Sequence, residues 1–408
     1  MGAWQPPVSL SPAEVRARFA RAKRQGNPVW LWPDIAIEEW RRALATIAQT
    51  ARDVLSGRPA GSLSAADADA FGLACYTSGM GPLLGWWQAR GLVRAASDIG
   101  RVIDLHWRHN MDRNAHLAAI AADVAERLRG AGIAVALLKG AHTAAAYFPA
   151  PGTRPMADID LLVGPRDLTG ADAVLAAAGY VPGRRGERET NWRRPGTPAA
   201  PRTLTFLHRD DPWSIDLHHS LDQAVAAGAP PVRFDGARPL DGRGPSAAPL
   251  AQPLLLLHLA VHAGGGLHNL TLLRLVELHF VIRRDGADGG LSWPAFVRTG
   301  RAIGALGYAY PALRLCEDLV PGTVPAWVLE RCAAAAPARV VRIVARLAPA
   351  TAQRVERSSI AEHFMWSAGW PGLCRQLAAD LVPARSWRAA WSIYERRAWQ
   401  MLRGRIGM

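Results

Sequence analysis

The sequence predicts an α+β fold, a small mixed sheet with helices on one side, flanked by largely helical N- and C-terminal regions. Three observations carry this reading. Two short apolar runs, residues 133–138 and 158–163, are of strand length and bracket an alanine-rich segment, 141–148. A helical stripe of Leu117, Ile120, Val124 and Leu128 precedes them and stops at Gly130 and Gly132. On either side the chain has the length, aromatic content and apolar spacing of packed helices.

In chain order, the first region is rich in tryptophan, with Trp4, Trp30, Trp32, Trp40, Trp86, Trp87 and Trp107, which suits a helical packing module. Ser11-Pro12-Ala13-Glu14 has the composition of a helix start, with a serine cap and proline in the first turn. A helix is expected over 112–131, then a strand, a turn at Lys139-Gly140, a short helix, a loop holding Pro149, Pro151, Gly152 and Pro155, and a second strand. Pro165-Arg166-Asp167 opens a further helix with Leu168, Val174 and Leu175 inward, ended by Gly179. Residues 182–202 read as an arginine-rich loop. It is either a solvated insertion or a mobile arm whose Arg184, Arg185, Arg193 and Arg194 meet phosphates beside Trp192. Residues 203–208 and 213–219 alternate like the strands of a hairpin around Arg209-Asp210-Asp211-Pro212. The remainder, from Pro253 on, is expected to be helical, ending in a basic amphipathic helix over 385–408 with Trp387, Trp391 and Tyr394. The regions are therefore drawn as 1–111, 112–222 and 223–408.

With 408 residues the chain can hold two or three ordinary domains, and half of its residues are hydrophobic, enough for a sizeable core. The net charge of +14 favours anionic partners, nucleotides and nucleic acid among them. Only Lys23 and Lys139 are lysines among 48 basic residues, which sets Lys139 apart. Cys75, Cys316, Cys332 and Cys374 are scattered without zinc-knuckle spacing. The N-terminus has no apolar core of signal-peptide length, and the apolar run 254–263 is too short to span a bilayer and carries two histidines. A cytoplasmic protein is expected.

The chemistry concentrates at 139–160. On a strand, Asp158 and Asp160 point to the same face. Two adjacent carboxylates repel unless a cation lies between them, and a hard divalent ion such as Mg2+ takes oxygen ligands while keeping positions for substrate phosphates. Gly140 allows close backbone approach at a helix N-terminus, where an anion is favoured, and Lys139 and Arg154 add positive charge. A metal beside an anion cradle points to a nucleoside triphosphate (NTP). His258, His262 and His268 match the spacing of a zinc protease, but the residue that should be the glutamate base is Leu259, so that hydrolytic mechanism lacks its proton acceptor.

Lys139-Gly140, Arg154-Pro155, Asp158-Ile159-Asp160 and Ile215-Asp216-Leu217-His218, in this order, resemble the uncharacterised nucleotidyltransferase family of bacteria, a branch of the DNA polymerase beta-like superfamily. The similarity runs over about 115–319. It implies transfer of a nucleoside monophosphate from an NTP to an acceptor with release of pyrophosphate. Asp158, Asp160 and Asp216 would be catalytic residues and ligands of Mg2+, or Mn2+, converging on the cation; Lys139, Gly140 and Arg154 would hold the phosphates. His142, Thr143 and His218 stand nearby without assigned roles. Ala141 replaces the serine that often follows this glycine in the superfamily. The acceptor is left open among a peptide, a protein, a small molecule and tRNA, as are the base of the NTP and the oligomeric state. A non-catalytic scaffold or regulator that binds nucleotide or peptide is the alternative.

Overall fold

A computed structural model describes residues 10–25, 31–235, 250–267, 270–352, 360–381 and 391. Trp4, Trp30, His268 and the expected helix over 385–408, apart from Trp391, lie outside the described residues. The N-terminal helices are α1 (Pro12–Gln25), α2 (Ile37–Leu55), α3 (Ala68–Ser78), α4 (Gly81–Ala89) and α5 (Ser97–Gly130). The start of α1 is a capping box: the Ser11 hydroxyl accepts the Glu14 N–H at 3.3 Å, and the Glu14 carboxylate accepts the Ser11 N–H at 2.8 Å. Trp40 and Trp87 are buried, and the Trp40 indole N–H donates to Thr77 Oγ1 at 3.0 Å, so the bulk fills the core while the polar edge is paired.

The helix expected to start at residue 112 begins at Ser97, so residue 111 lies inside α5. Its first half carries no continuous apolar stripe, because His106, Asn110, Arg113 and Asn114 occupy buried positions on it. Polar residues on a buried helix face hide the period that would otherwise announce the helix.

The next elements are β1 (Val135–Leu137), α6 (Lys139–Ala146), β2 (Ile159–Val163), α7 (Leu168–Ala177), β3 (Val181–Arg185), β4 (Glu189–Arg193) and β5 (Ile215–His218). The described strands form one five-stranded sheet in the order β1-β2-β5-β4-β3; β2 and β5 run parallel and the other neighbours antiparallel. The mixed α+β sheet expected from the sequence is thus present.

Two local expectations fail. Residues 182–202 are not simply a loop, for most of β3 and all of β4 fall there as a hairpin. Thr190 and Trp192 are buried and alternate with Glu189, Asn191 and Arg193, a strand pattern that the arginines obscure. Residues 203–208, in turn, are no strand. The Asp211 carboxylate accepts the N–H groups of Arg202 and His208, both at 2.7 Å, and Arg113 takes the His208 carbonyl. Backbone groups already satisfied by side chains are not free for a ladder. The strand beside β5 is β4.

Side-chain alternation sorts the sheet into two faces. Ile159, Leu161, Val163, Ile215, Leu217 and Trp192 join a core with Leu117, Ile120, Val124 and Leu128 of α5 and Leu175 of α7. Burying each such aliphatic side chain contributes about 1.5–3 kcal/mol. The other face carries Asp160, Asp216 and His218. A second core joins the N-terminal helices to α8 (Leu254–Gly264), α9 (Leu272–Ala287), α10 (Trp293–Ala302), α11 (Leu306–Leu319), α12 (Ala326–Ala335) and α13 (Ala338–Val344). Short helices α14 (Pro349–Ala352) and α15 (Ile360–His363) and the longer α16 (Gly369–Leu381) follow. Among the described residues no helix is long and apolar enough to cross a membrane.

Candidate active site

The register of the sheet brings the polar face together. Asp160 on β2 is paired with Asp216 on β5, and Asp216 with Asn191 on β4; one row further, Leu162 pairs with His218 and His218 with Glu189. Adjacent strands are about 4.8 Å apart, so the rows are ladders of facing side chains. Asp158, two residues before Asp160, opens into the same cleft. That cleft holds about 440 Å³, in the range of small-molecule sites, and α8 and α9 close it with His258, His262, Arg274 and Glu277.

The three aspartates have different partners. The Lys139 ammonium donates to Asp160 Oδ1 at 2.6 Å, and His218 Nε2 lies 2.8 Å from the same oxygen. The other ring nitrogen of His218 is 3.1 Å from Glu189 Oε2. Asp216 Oδ1 accepts the Asn191 amide at 2.6 Å and the Ser214 hydroxyl at 3.2 Å. Among the described residues nothing donates to Asp158. Burial and the neighbouring Asp160 accordingly push the Asp158 carboxyl up to about 6. Burial acts on Asp160 in the same direction, but the Lys139 and His218 partners outweigh it and hold that carboxyl below its usual range. Asp216 is raised by burial and by Asp160 and Glu189, although the Asn191 hydrogen bond opposes this. Against the cost of its own burial, Lys139 stays charged beyond its ordinary range because of Asp160.

Lys139 is also the only non-glycine with positive φ among the described residues, at 40°. A left-handed lysine is strained, and such strain is found where surrounding structure overdetermines a functional position. It starts α6 with its ammonium directed back to β2.

Arg154 and Gly140 meet each other. A Cβ on Gly140 would lie 2.3 Å from Arg154 Nη1, so glycine is required there for the guanidinium to pack on the start of α6. That guanidinium is held by Glu277, with Nε to Oε1 at 2.8 Å and Nη2 to Oε2 at 3.2 Å, and the Thr143 hydroxyl also bonds Glu277. Arg154 is therefore already paired with a carboxylate as a fork, which the expectation of a phosphate ligand did not include. His142 packs edge-on against Tyr147 and is absent from the cleft lining.

His258 and His262 do line the cleft, with parallel rings 6.4 Å apart. Burial pushes His258 down to about 3 and His262 well below its ordinary value, so both are neutral at physiological pH.

Sequence reasoning missed two groups. The first is a polar stripe on α5. Asn110 donates to the Gly152 carbonyl, Asn114 to that of Arg154, and the buried Arg113 to five carbonyls: Met156, Ala157, His208, Asp211 and Pro212. These lie just before Asp158 on one side and Asp216 on the other, so one side chain ties together the approaches to β2 and β5. The i, i+3, i+4 spacing of 110, 113 and 114 on an otherwise buried helix was the available signal. The second is Arg274 of α9, which belongs to no motif.

Three carboxylates lining one cleft, one of them without a donor among the described residues, are the donor chemistry of a Mg2+ or Mn2+ site. As the side chains stand, however, no three His, Cys, Asp or Glu among the described residues are placed to hold a metal ion together. The expected convergence of Asp158, Asp160 and Asp216 is in this sense incomplete. Uncompensated carboxylates repel, and here Lys139, His218 and Asn191 have taken oxygens of two of them. The residue types and their common face fit a divalent cation, provided those donors give way.

A family described as uncharacterised nucleotidyltransferase matches the chain over residues 88–321, more than half of its length. No curated protein and no solved structure matches it.

Proposed function

Since the chain belongs to this uncharacterised nucleotidyltransferase family, we propose that it moves a nucleoside monophosphate from an NTP to an acceptor, with Mg2+ or Mn2+ held by Asp158, Asp160 and Asp216. The observation that carries this is the cross-strand pairing of Asp160 with Asp216, beside an Asp158 to which nothing donates among the described residues. In the reaction the acceptor oxygen bonds the α-phosphorus, the bond from that phosphorus to the α,β-bridging oxygen breaks, and pyrophosphate leaves with the electron pair. The bound metal supplies neutralisation of charge on the phosphate oxygens. Asp216, whose carboxyl burial raises, is the group suited to take the acceptor proton. Lys139, freed from Asp160, is within the cleft to meet a phosphate. His218, released from Asp160 with Lys139, stays beside Glu189 at the edge of the cleft. The acceptor class stays a peptide, a protein, a small molecule or tRNA.

The test is incubation with each of four α-labelled NTPs and Mg2+ or Mn2+, beside Asp158→Ala/Asp160→Ala. Label on an acceptor from a lysate, with pyrophosphate released and both lost in the double variant, supports the reading. Nucleotide binding without any transfer would instead support the scaffold.

The scaffold reading has one observation in its favour, the Lys139 ammonium occupying Asp160. It makes a separate prediction possible. If Lys139 stands where a cation belongs, Lys139→Met should tighten Mn2+ binding to nucleotide-free protein by about tenfold or more, since a positive charge a few ångströms away is removed. Titration followed by the paramagnetic resonance of free Mn2+ measures it. Unchanged affinity would show that Lys139 does not compete with metal.

A further inference from the structure

We propose that Arg274 is the side chain that grips the phosphates of the nucleotide, a role for which the sequence motif nominates Arg154. This rests on the nucleotidyl-transfer reading and adds a substrate-binding residue to it.

Both arginines line the cleft that contains Asp158 and Asp160. A single glutamate, Glu277, acts on both, one turn beyond Arg274 on α9. Arg154 has it: the fork to Glu277 uses its Nε and Nη2, Nη1 donates to the Pro155 carbonyl at 3.0 Å, and the side chain is only 11% exposed. Little of Arg154 is left for a ligand.

Arg274 is in the opposite condition. Among the described residues its one side-chain hydrogen bond is from Nη1 to the His262 carbonyl, 3.3 Å long, and no carboxylate accepts from it. A guanidinium has five N–H donors, and removing it from water without partners is costly. Burial indeed presses against its charged form, offset first by Glu277 and then by Asp158 and Asp160 across the cleft.

The fold nevertheless fixes Arg274 in place, since Leu272, Leu275, Val276 and Leu278 around it on α9 are fully buried. A charged fork held on a rigid helix, facing a cleft, with most of its donors unused, is built for an anion that arrives later. Phosphate matches it in geometry and charge, because two parallel N–H groups meet two phosphate oxygens. The aspartates carry the cation end of the same cleft, so a metal-bound triphosphate satisfies both ends at once.

The probe is inorganic tripolyphosphate without metal, which isolates phosphate binding from turnover. It is measured by calorimetry and by the shift of the melting temperature, on wild type, Arg274→Met, Arg274→Lys and Arg154→Met. The expected result is about ten- to hundredfold weaker binding for Arg274→Met. Without ligand, that variant should melt at the wild-type temperature or above, because a half-buried charge without a carboxylate acceptor among the described residues has gone. Arg274→Lys should fall between, keeping the charge and losing the fork. Arg154→Met should melt lower, having orphaned Glu277.

Wild-type affinity in Arg274→Met overturns the assignment, and so does a wild type that does not bind tripolyphosphate. Label transfer by the wild type in the first case would leave the nucleotidyl-transfer reading intact. Arg274-dependent binding with no transfer from any NTP would leave the anion site standing and remove that reading.

Discussion

Asp158→Asn is expected to stabilise the metal-free protein and to abolish transfer, whereas Asp160→Asn abolishes transfer and destabilises. The two carboxylates line one cleft, yet among the described residues only Asp160 of the two has hydrogen-bond donors. Asparagine at 158 relieves a carboxylate that burial and Asp160 disfavour; asparagine at 160 takes the negative charge from the acceptor that Lys139 and His218 share, leaving the Lys139 ammonium uncompensated. The sign with pH follows from the raised Asp158 value. A folded-state carboxyl displaced upward favours folding while it is protonated. That contribution is complete below the ordinary carboxylate range and is lost as pH rises through about 6. The gain from Asp158→Asn should therefore be visible at pH 7–8, on the order of 1 kcal/mol, and vanish near pH 4. Asp160 is displaced downward, so its contribution is present at neutral pH and is lost as pH falls below the ordinary carboxylate range. Both variants should lose about a thousandfold or more in transfer rate if the carboxylates hold the metal, an effect worth several kcal/mol. Melting curves across this pH range, with label-transfer rates at pH 7.5, check it. Equal stability changes at the two positions would contradict the assignment of partners; undiminished transfer would remove both residues from catalysis.

Arg113→Met is the second large effect. The guanidinium is 1% exposed and every one of its donors meets a backbone carbonyl. Methionine fills similar volume but leaves those carbonyls buried without donors, at about 1–3 kcal/mol for each that finds no water. A loss of at least about 3 kcal/mol in unfolding free energy is expected, read from the denaturant midpoint. Arg113→Lys should recover part of it, because an ammonium keeps the charge with fewer donors in a different geometry. Where Arg113→Lys folds, its transfer rate should fall further than its affinity for NTP, since Arg113 sets the approach of Asp158 and Asp216 and touches no substrate. A denaturant midpoint like that of the wild type would show that the carbonyls have other donors.

Much of the framework was legible because it is written in local patterns. The capping box at Ser11, the stripe from Leu117 to Leu128 and the strand around Asp160 each depend on neighbours within a few residues, whereas the turn expected at Lys139-Gly140 is already the start of α6. Residue spacing put Asp158 and Asp160 by one cleft, although Asp158 precedes β2 and strand alternation does not reach it, and motif order nominated Asp216. Chain order could not reveal which strand lies beside which: β4 borders β5 because Thr190 and Trp192 have a buried face to fill, while at the end of 203–208 His208 gives its N–H to Asp211 and its carbonyl to Arg113. Nor could it reveal who owns each charge. Arg154 is claimed by a glutamate 123 residues further on, Asp160 by Lys139 and His218, and Arg274 by no carboxylate among the described residues. The sequence by itself determined which residue types stand on which local face, since that depends on backbone period. Only the tertiary structure decided their partners, because burial makes each buried charge seek its complement in space, wherever along the chain that complement was encoded.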